Sequence, residues 1–188
     1  ELVNEDVIPN PVTDYGRSKL KAEQYIQSTP TVEGKNFYIL RPAMIHGPGN
    51  KGNLNLLYRL VKTGAPFPFG KFDNQRSFLS IDNFNFTIQQ LLQKEVPSGV
   101  YHLADDGFLS TNELYKVIAT TLNKQPRILN FPKSWIQNLA GILGKKHLVN
   151  KLTEDMMVSN KKIVNELGIN LPVALSEGIR RTIQSFKK

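Results

Sequence analysis

Tyr15 and Lys19 stand four residues apart in the stretch PVTDYGRSKLKAE, residues 11–23, which has the pattern of a helix start. Four residues along a helix advance about 6 Å, so the two side chains share one face. A tyrosine exchanges protons near neutral pH only if its pKa falls from about 10, and a nearby ammonium lowers that pKa by stabilising the phenolate. The pair therefore has the chemistry of an acid/base centre in a redox enzyme, with Gly16 leaving room for a planar cofactor.

The spacing alone does not separate this function from chance. The chain of 188 residues contains 6 Tyr, and its composition predicts about 0.5 tyrosine–lysine pairs at this spacing. A second pair, Tyr58 and Lys62, is present. Tyr58 follows the pattern of an apolar packing position, so we interpret the second pair as structural and judge the first by its surroundings.

The composition excludes several classes of function. The absence of cysteine rules out disulfides and thiolate metal sites. The three histidines, His46, His102 and His147, are far apart in sequence and predict no metal site. No apolar run reaches the roughly 18 residues of a membrane span, and no signal peptide is recognisable. We expect a soluble, cytoplasmic globular protein. The polar start at Glu1 suggests the middle of a longer protein or a processed one.

The positive charge is concentrated in the second part of the chain. The net charge is +8; residues 1–115 carry 11 Lys and Arg against 12 Asp and Glu, and residues 116–188 carry 13 against 4. Such a surface suits nucleic acid, an anionic membrane or a polyanionic small substrate. The lysines are scattered over several predicted helices without interleaved aromatic residues. We interpret them as a solvated basic face and expect neither a nucleic-acid partner nor stable membrane insertion.

Periodicity predicts the elements that position Tyr15 and Lys19. A helix should run from Pro11 and Thr13 to about Ser28, and a buried strand should follow at 37–40 and end at Arg41-Pro42. Residues 43–52 read as a Gly/Pro loop. The segment 53–63 predicts an amphipathic helix ended by Gly64, and residues 65–75 predict another loop.

The remaining segments complete an α/β order. A strand is predicted at 76–81, a helix capped by Asp82 runs to about Gln93, and a second strand covers 99–104. Ser110 and Glu113 form a capping box for a helix to about Leu122. Further helices are predicted near 133–143, 147–153, 159–167 and 176–186. No GxGxxG or GxxGxxG turn occurs in the chain.

The motif around Tyr15 resembles that of a known family. PxxxYGRSKxxAE, followed about 20 residues later by LRPAMIHGPG, resembles the extended short-chain dehydrogenase/reductase family, and within it the NAD-dependent nucleotide-sugar epimerases and dehydratases. Four later segments resemble that family in the same order. They are GNLNLLYRLVKTG, NQRSFLSIDN, GVYHLADDGFLSTNEL and LGINLPVALSEGIRRTI. The resemblance implies the last part of a Rossmann-type domain joined to a small mixed α/β substrate-binding domain.

The resemblance also implies a cofactor side. Tyr15 would be the catalytic acid/base, and Lys19 would be its partner and would also hold the nicotinamide ribose. Pro42 and the adjoining backbone would face the nicotinamide. His46 stands where the family usually has tyrosine, so it either borders the nicotinamide pocket or has no functional role there. The other cofactor-side positions implied in this way are Ala43 and Ile45.

The implied substrate is a UDP-sugar. Arg76 would pair with its diphosphate, to which a guanidinium offers a bidentate fork; the alternative is a surface strand residue. Asn53 and Leu54 match positions beside the diphosphate and sugar, although Asn53 is also a candidate helix N-cap. Phe67 to Phe69 match a segment that lines the uracil pocket. Met44 stands where many UDP-galactose 4-epimerases carry an asparagine that contacts the sugar.

The chain departs from the family in its length. The family's glycine-rich dinucleotide turn lies roughly 100 residues before its tyrosine, whereas 14 residues precede Tyr15 here. The upstream catalytic Ser or Thr is missing as well. We therefore expect a C-terminal half: residues 1–50 as the last part of the Rossmann domain and residues 51–188 mainly as substrate domain, with segments around 76–104 returning to the Rossmann domain. The isolated chain should be inactive.

Several functions fit this reading. The first is a 4-epimerase of UDP-glucose, UDP-galactose or their N-acetyl forms, with tightly held NAD, in carbohydrate metabolism such as cell-surface polysaccharide synthesis. The second is an NAD(P)H-dependent reductase of a UDP-4-keto-hexosamine, a branch that the segments around Met44 and Arg76 resemble. A non-catalytic nucleotide-binding regulator and a nucleic-acid binder rank lower. Whether the full-length enzyme is a homodimer, and whether it uses NAD or NADP, stay open.

Overall fold

A computed structural model of the chain describes residues 1–50 and 52–187, without the side chains of residues 53, 148 and 151. Six short strands form three parallel pairs. Strand β2 (Tyr38–Pro42) pairs with β5 (Gly99–Leu103), with Leu40 opposite Tyr101. The other strands are β1 (Leu2–Val3) with β6 (Met157–Val158), and β3 (Met44–His46) with β4 (Phe78–Ser80).

Helices connect and cover these pairs. Because each pair is parallel, the chain must cross from one end of a pair to the other between its two strands. The helices α1 to α8 are Asp14–Ser28, Asn53–Thr63, Ile81–Gln93, Thr111–Thr121, Lys133–Ile142, Lys146–Thr153, Lys161–Leu167 and Leu175–Ser185. The mixed α/β class with parallel strands confirms the fold class that the sequence predicts.

Local sequence signals set several helix ends. The Thr13 side chain accepts a hydrogen bond from the Gly16 amide and caps α1, and Ser110 with Glu113 forms the predicted capping box of α4. Gly64 and Gly168, at φ of +75° and +56°, end α2 and α7 in the left-handed conformation that favours glycine.

The structure corrects three local predictions. Ser80, not Asp82, caps α3, because its hydroxyl accepts the hydrogen bond from the Asn83 amide. The predicted loop 43–52 begins with strand β3, which gains its partner from β4 far along the chain. The two-residue strands β1 and β6 were not predicted, since two residues carry no readable alternation.

Two hydrophobic clusters organise the interior. One joins α2, α4 and α8, with Leu54, Tyr115 and Ile179 among its buried members. The other joins β5, α3 and α7 around Tyr101 and Ile163. The parallel pairing of β2 with β5 is compatible with the predicted domain limits, which stay a prediction.

Helix α1 differs from the other helices in its packing. It buries none of its 15 residues, and Tyr15 and Tyr25 are 72% and 73% exposed. Within residues 1–50 and 52–187, no helix combines the length and the apolar character that a membrane span requires.

Candidate active site

Tyr15 and Lys19 share one face of α1, as the spacing predicts. The Lys19 ammonium lies 5.5 Å from the centre of the Tyr15 ring, within the range of a cation–π interaction. The Tyr15 ring is 72% exposed. The structure thus places the two side chains side by side on one face of α1.

An ion pair fastens the helix of Tyr15 and Lys19 to the strand that follows it. The Arg41 guanidinium on β2 donates to both carboxylate oxygens of Glu23 on α1, with Nη2 to Oε2 at 2.5 Å and Nε to Oε1 at 3.2 Å. Both side chains are largely shielded from solvent, at 22% and 17% exposure. This forked contact is the strong form of an arginine–carboxylate pair. It fixes where α1 sits relative to Pro42.

The structure gives a reason for glycine at position 16 that differs from the one the sequence suggests. A Cβ added there would lie 2.9 Å from the Cβ of Pro11. The glycine therefore lets the segment 9–11 approach α1 closely, and the space beside it is occupied by that segment. Gly16 also lines the open cleft beside Lys19, so the expectation that it leaves room for a planar cofactor stays a prediction.

An open cleft lies beside this pair of elements. It has a volume of about 290 Å³, and Lys19, Glu23 and Arg41 line it together with the segment 9–11. Lys19 thus faces free space on the side away from the Tyr15 ring. A ribose or another hydroxyl-bearing group has access to the ammonium there.

The other positions on the predicted cofactor side follow β2. Pro42 is exposed at the end of the strand, while Ala43 is buried and its amide donates to the Leu103 carbonyl at 2.8 Å. Ile45 is 37% exposed. Pro42 and Ile45 thus reach the surface, and Ala43 can offer a ligand little more than its backbone.

His46 is an interior residue. Its ring is 1% exposed, with Nδ1 3.0 Å from the Thr182 hydroxyl and Nε2 3.7 Å from Asp105 Oδ2. A Cβ added at Gly178 would lie 3.3 Å from the ring, so α8 packs tightly against it. This corrects the interpretation of His46 as a side chain that borders the nicotinamide pocket, because the ring packs in the interior against α8.

A buried polar network next to His46 was missed by the sequence analysis. Asp105 accepts hydrogen bonds from the Ser80 amide at 3.0 Å and from the Asn83 side chain at 2.7 Å. Asn83 also bonds both the amide and the carbonyl of Val173. Asp105, two residues after β5, and Asn83 therefore join β4, α3 and the segment before α8.

Three predicted substrate residues converge on one small cleft. Met44, Leu54 and Arg76 line a space of about 30 Å³, roughly the volume of one or two water molecules. Leu54 is buried at 1% exposure and forms part of the wall. Helix α2 begins at Asn53, whose side chain lies outside the described residues, so its predicted contact and its alternative as a cap stay predictions.

The Arg76 guanidinium already has protein partners. Its Nη1 donates to the Glu154 carbonyl at 3.0 Å, and Nη2 lies 3.7 Å from the Met156 sulfur. Burial lowers the pKa of Arg76 from its usual value, and the negative charge of Glu154 partly offsets this. The arginine is therefore held at the cleft by the segment 154–156, and a diphosphate there would share it with these groups.

The two phenylalanines of the predicted uracil segment differ. Phe67 is 1% exposed and stacks on Tyr115, with ring centres 5.0 Å apart and planes at 18°. Its ring is therefore core, which corrects the prediction of a pocket-lining side chain. Phe69 lies at the edge of this core and, with Pro68, lines an apolar groove of about 370 Å³ against α5 and α6.

The chain is similar to known proteins. The profile of the RmlD substrate binding domain matches residues 2–140. The chain is 34% identical to a UDP-glucose 4-epimerase of Vibrio cholerae, over 94% of this chain and 54% of that protein. It is 28% identical to an N-acetyl-α-D-glucosaminyl-diphospho-ditrans,octacis-undecaprenol 4-epimerase of Escherichia coli O157:H7, over 93% of this chain and 57% of that protein.

Solved structures share the fold at low identity. The enzyme WbmG of Bordetella bronchiseptica in complex with NAD superposes with a TM-score of 0.73 at 20% identity, over 98% of this chain and 53% of that one. The UDP-glucose 4-epimerase of Thermotoga maritima with UDP-glucose gives 0.70 at 20% identity, over 98% and 57%. The chain thus spans about half the length of the relatives that it matches.

Proposed function

The chain belongs to the extended short-chain dehydrogenase/reductase family of nucleotide-sugar epimerases and dehydratases, and from that premise we propose that it contributes the acid/base pair and the sugar side of an NAD-dependent 4-epimerase. The proposed substrate is a UDP-hexose or its N-acetyl form. The observation that carries the proposal is the contact between Tyr15 and Lys19 on a helix fastened to β2 by Glu23 and Arg41.

The proposed acid/base chemistry follows from the positions of these groups. The Tyr15 oxygen takes the proton of the sugar 4-hydroxyl as C4 becomes a carbonyl, and it returns the proton when C4 is reduced on the other face. The Lys19 ammonium, one helical turn away, is proposed to be the partner of Tyr15 and to bind the nicotinamide ribose. NAD, when bound, supplies the reversible hydride acceptor for C4.

The residues of the chain fit the nicotinamide end of this cofactor. The cleft of about 290 Å³ exposes Lys19 next to the helix that carries Tyr15. Pro42 and Ile45, at the surface after β2, are candidates for the nicotinamide side, with the backbone of Ala43 between them. The dinucleotide phosphates need a glycine-rich turn, and residues 1–188 contain none of the GxGxxG form. NADP is the alternative dinucleotide.

We propose that the diphosphate of the nucleotide binds to Arg76 at the mouth of the cleft of Met44 and Leu54, because the cleft itself, at about 30 Å³, is too small to enclose it. Arg76 is the charged group of that cleft, and a guanidinium binds a diphosphate through charge-assisted hydrogen bonds. Asn53 and Phe69 are proposed to extend this side toward the sugar and the uracil. The curated relatives at 34% and 28% identity act, by name, on a UDP-sugar and on a lipid-diphospho-sugar, and diphosphate recognition is common to both.

The domain assignment belongs to the same proposal. Residues 1–50, together with β4 and β5, would be the last part of a Rossmann sheet, and the remaining segments would form the substrate domain. The uncovered helix α1 is then the surface on which the rest of that sheet packs. A homodimer of the full-length enzyme stays a prediction.

One isotope experiment tests the epimerase. UDP-glucose with deuterium at C4, given to the full-length protein with NAD, should yield UDP-galactose that keeps the label, because the hydride returns to the carbon that it left. Product without label would contradict the mechanism. A second candidate, the reductase of a UDP-4-keto-hexosamine, is favoured by Met44 in the cleft. Stoichiometric oxidation of added NADPH by a 4-keto substrate would establish the reductase instead.

A further inference from the structure

Helix α5 carries an apolar stripe that faces solvent. Trp135, Leu139 and Ile142 are 67%, 58% and 83% exposed, and their spacings of four and three residues place them on one side of the helix. Phe131 before the helix and Leu143 after it are exposed as well. Isolated exposed apolar residues are ordinary, but a contiguous stripe that contains tryptophan marks an interaction surface.

The stripe lies in a stretch of the chain without acidic residues. From residue 114 to residue 153, forty consecutive positions contain seven Lys and Arg and no Asp or Glu. Lys133 stands at the start of α5, and Lys145 and Lys146 stand between α5 and α6, all three exposed. The apolar stripe is thus bordered by cations at both of its ends.

A groove continues this surface inward. The space of about 370 Å³ is lined by Trp135, Leu139 and Leu143 from α5, by Val149 from α6 and by Phe69. Lys145 lies at its rim. The groove can accept the apolar part of a ligand or the side chains of a rearranged α5. Lys145 is then placed to contact an anionic group of that ligand.

From this combination we propose that the α5 surface (Phe131, Lys133, Trp135, Leu139, Ile142, Leu143, Lys145 and Lys146) binds the protein peripherally to an anionic phospholipid bilayer. A short helix with Trp, Leu and Ile on one side and lysines at its ends lies in the plane of the lipid headgroups, with the apolar side chains at the acyl boundary. The lysines contact lipid phosphates. At ten residues, α5 is about 15 Å long and lies on the membrane without crossing it.

The charge pattern favours a bilayer over other occupants. A protein partner or a second copy would be expected to match a rim of mixed charge, whereas α5 and the segments that flank it carry lysines and no acidic residue. A nucleic acid would match the charge but not the apolar stripe, because such sites interleave aromatic and basic residues along a strand path. An anionic bilayer matches both features. The proposal does not depend on the proposed epimerase activity.

Vesicle binding by the full-length protein tests the proposal. Vesicles of phosphatidylcholine with an equal part of phosphatidylglycerol should sediment the protein, and vesicles of phosphatidylcholine alone should bind it far less. Rising salt should weaken the binding, because the screening length falls from about 10 Å at 0.1 M to about 3 Å at 1 M. Trp135 is the single tryptophan of residues 1–188. Tryptophan fluorescence should shift to the blue with anionic vesicles, and the part of the shift that Trp135→Phe removes is the signal of the α5 surface.

Matched variants separate the α5 surface from general effects. Lys145→Glu with Lys146→Glu should weaken vesicle binding about 30-fold or more, since each lysine near an anionic surface contributes roughly a fivefold factor. Lys35→Glu with Lys161→Glu makes the same change of charge at exposed positions elsewhere and should have little effect. Ile142→Ser should weaken binding about 10-fold, while Leu92→Ser, at a residue 82% exposed on α3, should not.

Each contrary result overturns the proposal. Absence of binding to phosphatidylglycerol vesicles at low salt would exclude a membrane surface. If neither Ile142→Ser nor the charge reversal of Lys145 and Lys146 changed vesicle binding, the membrane-binding surface would lie elsewhere on the protein. Loss of self-association in Ile142→Ser, without vesicle binding in the parent protein, would assign the surface to a second copy. Retention on single-stranded RNA but not on vesicles would assign it to nucleic acid.

Discussion

Arg41 donates hydrogen bonds to both carboxylate oxygens of Glu23, and this contact joins the helix of the acid/base pair to the strand that ends in Pro42. Glu23 belongs to the AE at the end of the tyrosine motif, and Arg41 belongs to the LRP eighteen residues later. The sequence alone assigns no role to either residue. The pair explains why they occur together. It is a positioning pair, since neither residue carries the proposed proton transfer.

Breaking this pair should loosen α1. Glu23→Gln leaves the Arg41 charge half-buried without its counterion, so we expect a loss of about 1–3 kcal/mol in the free energy of unfolding. In urea denaturation of the full-length protein, Glu23→Gln and Arg41→Gln should each shift the midpoint. The double variant should cost less than the sum of the two.

The same variant separates positioning from simple loss of stability. At a temperature where Glu23→Gln is fully folded, kcat should fall while KM for the nucleotide sugar changes little, because the substrate cleft lies on other elements. As control, Glu33→Gln removes an exposed carboxylate between α1 and β2 and should change neither. Additive costs in the double variant would show that the pair does not act as a unit.

Removing the Tyr15 hydroxyl should abolish turnover. Tyr15→Phe keeps the ring beside Lys19 but removes the oxygen that carries the proton, so binding of the nucleotide sugar should persist. Tyr58→Phe is the matched control, because Lys62 lies 5.9 Å from the centre of the Tyr58 ring in the same one-turn geometry. The Tyr58 hydroxyl donates to the Phe186 carbonyl at 3.1 Å, so this variant should lose about 1 kcal/mol of stability and keep its activity. Comparable turnover in Tyr15→Phe would remove Tyr15 from the mechanism.

Arg76 should contribute most of the charge-assisted affinity for the diphosphate. A charge-assisted bidentate contact is worth about 1.5–3 kcal/mol, so Arg76→Ala should weaken UDP binding by roughly 10- to 150-fold. Arg59→Ala, at an exposed position on α2, is the control and should leave the affinity unchanged. Calorimetry on residues 1–188 should show weak UDP binding and essentially no NAD binding. Strong NAD binding by residues 1–188 would show that the cofactor site has been assigned to the wrong part of the protein.

Arg76→Lys distinguishes recognition from support of the fold. The arginine donates to the Glu154 carbonyl, so part of the effect of alanine comes from the released segment 154–156. Lysine keeps the charge but not the fork. Affinity restored to within a few-fold by lysine would point to charge alone, and full loss would point to the bidentate geometry.

The features that the sequence predicts correctly are the ones that local chemistry controls, such as helix ends. The Ser110–Glu113 box and the glycine at the end of α2 both depend on residues within one turn of each other. The one-turn spacing of Tyr15 and Lys19 is of the same kind. These features follow from the backbone geometry of a helix, so a single sequence is enough to read them.

Long-range pairing accounts for what the sequence analysis missed. Asn83 joins Asp105 to Val173, residues separated from it by 22 and 90 positions. His46 faces Thr182, which is 136 positions away. No pattern near His46 tells whether its ring turns toward a cofactor or toward α8. A buried Asn or Asp just after a strand is the signal that could have indicated such a network, because a buried polar group needs partners.

The capping box of α4 should make the stability depend on pH. Hydrogen bonds from the amide and the hydroxyl of Ser110 hold the pKa of Glu113 below its usual value of 4.5. A carboxyl whose pKa is lower in the folded protein stabilises the fold above the pKa of the unfolded chain, and that contribution is lost as pH falls through the folded value. The loss should therefore begin near pH 4.5 and continue below it.

Glu113→Gln should show this dependence directly. At pH 7 the variant should be less stable by about 0.5 kcal/mol, a small value because water screens this exposed carboxylate. The difference should shrink as pH falls below 4.5 and vanish once Glu113 is protonated in both states. Glu95→Gln, at an exposed position after α3, serves as control. Urea denaturation at closely spaced pH values measures both, and a difference that stays constant down to pH values well below 4.5 would show that the box is held by geometry rather than by charge.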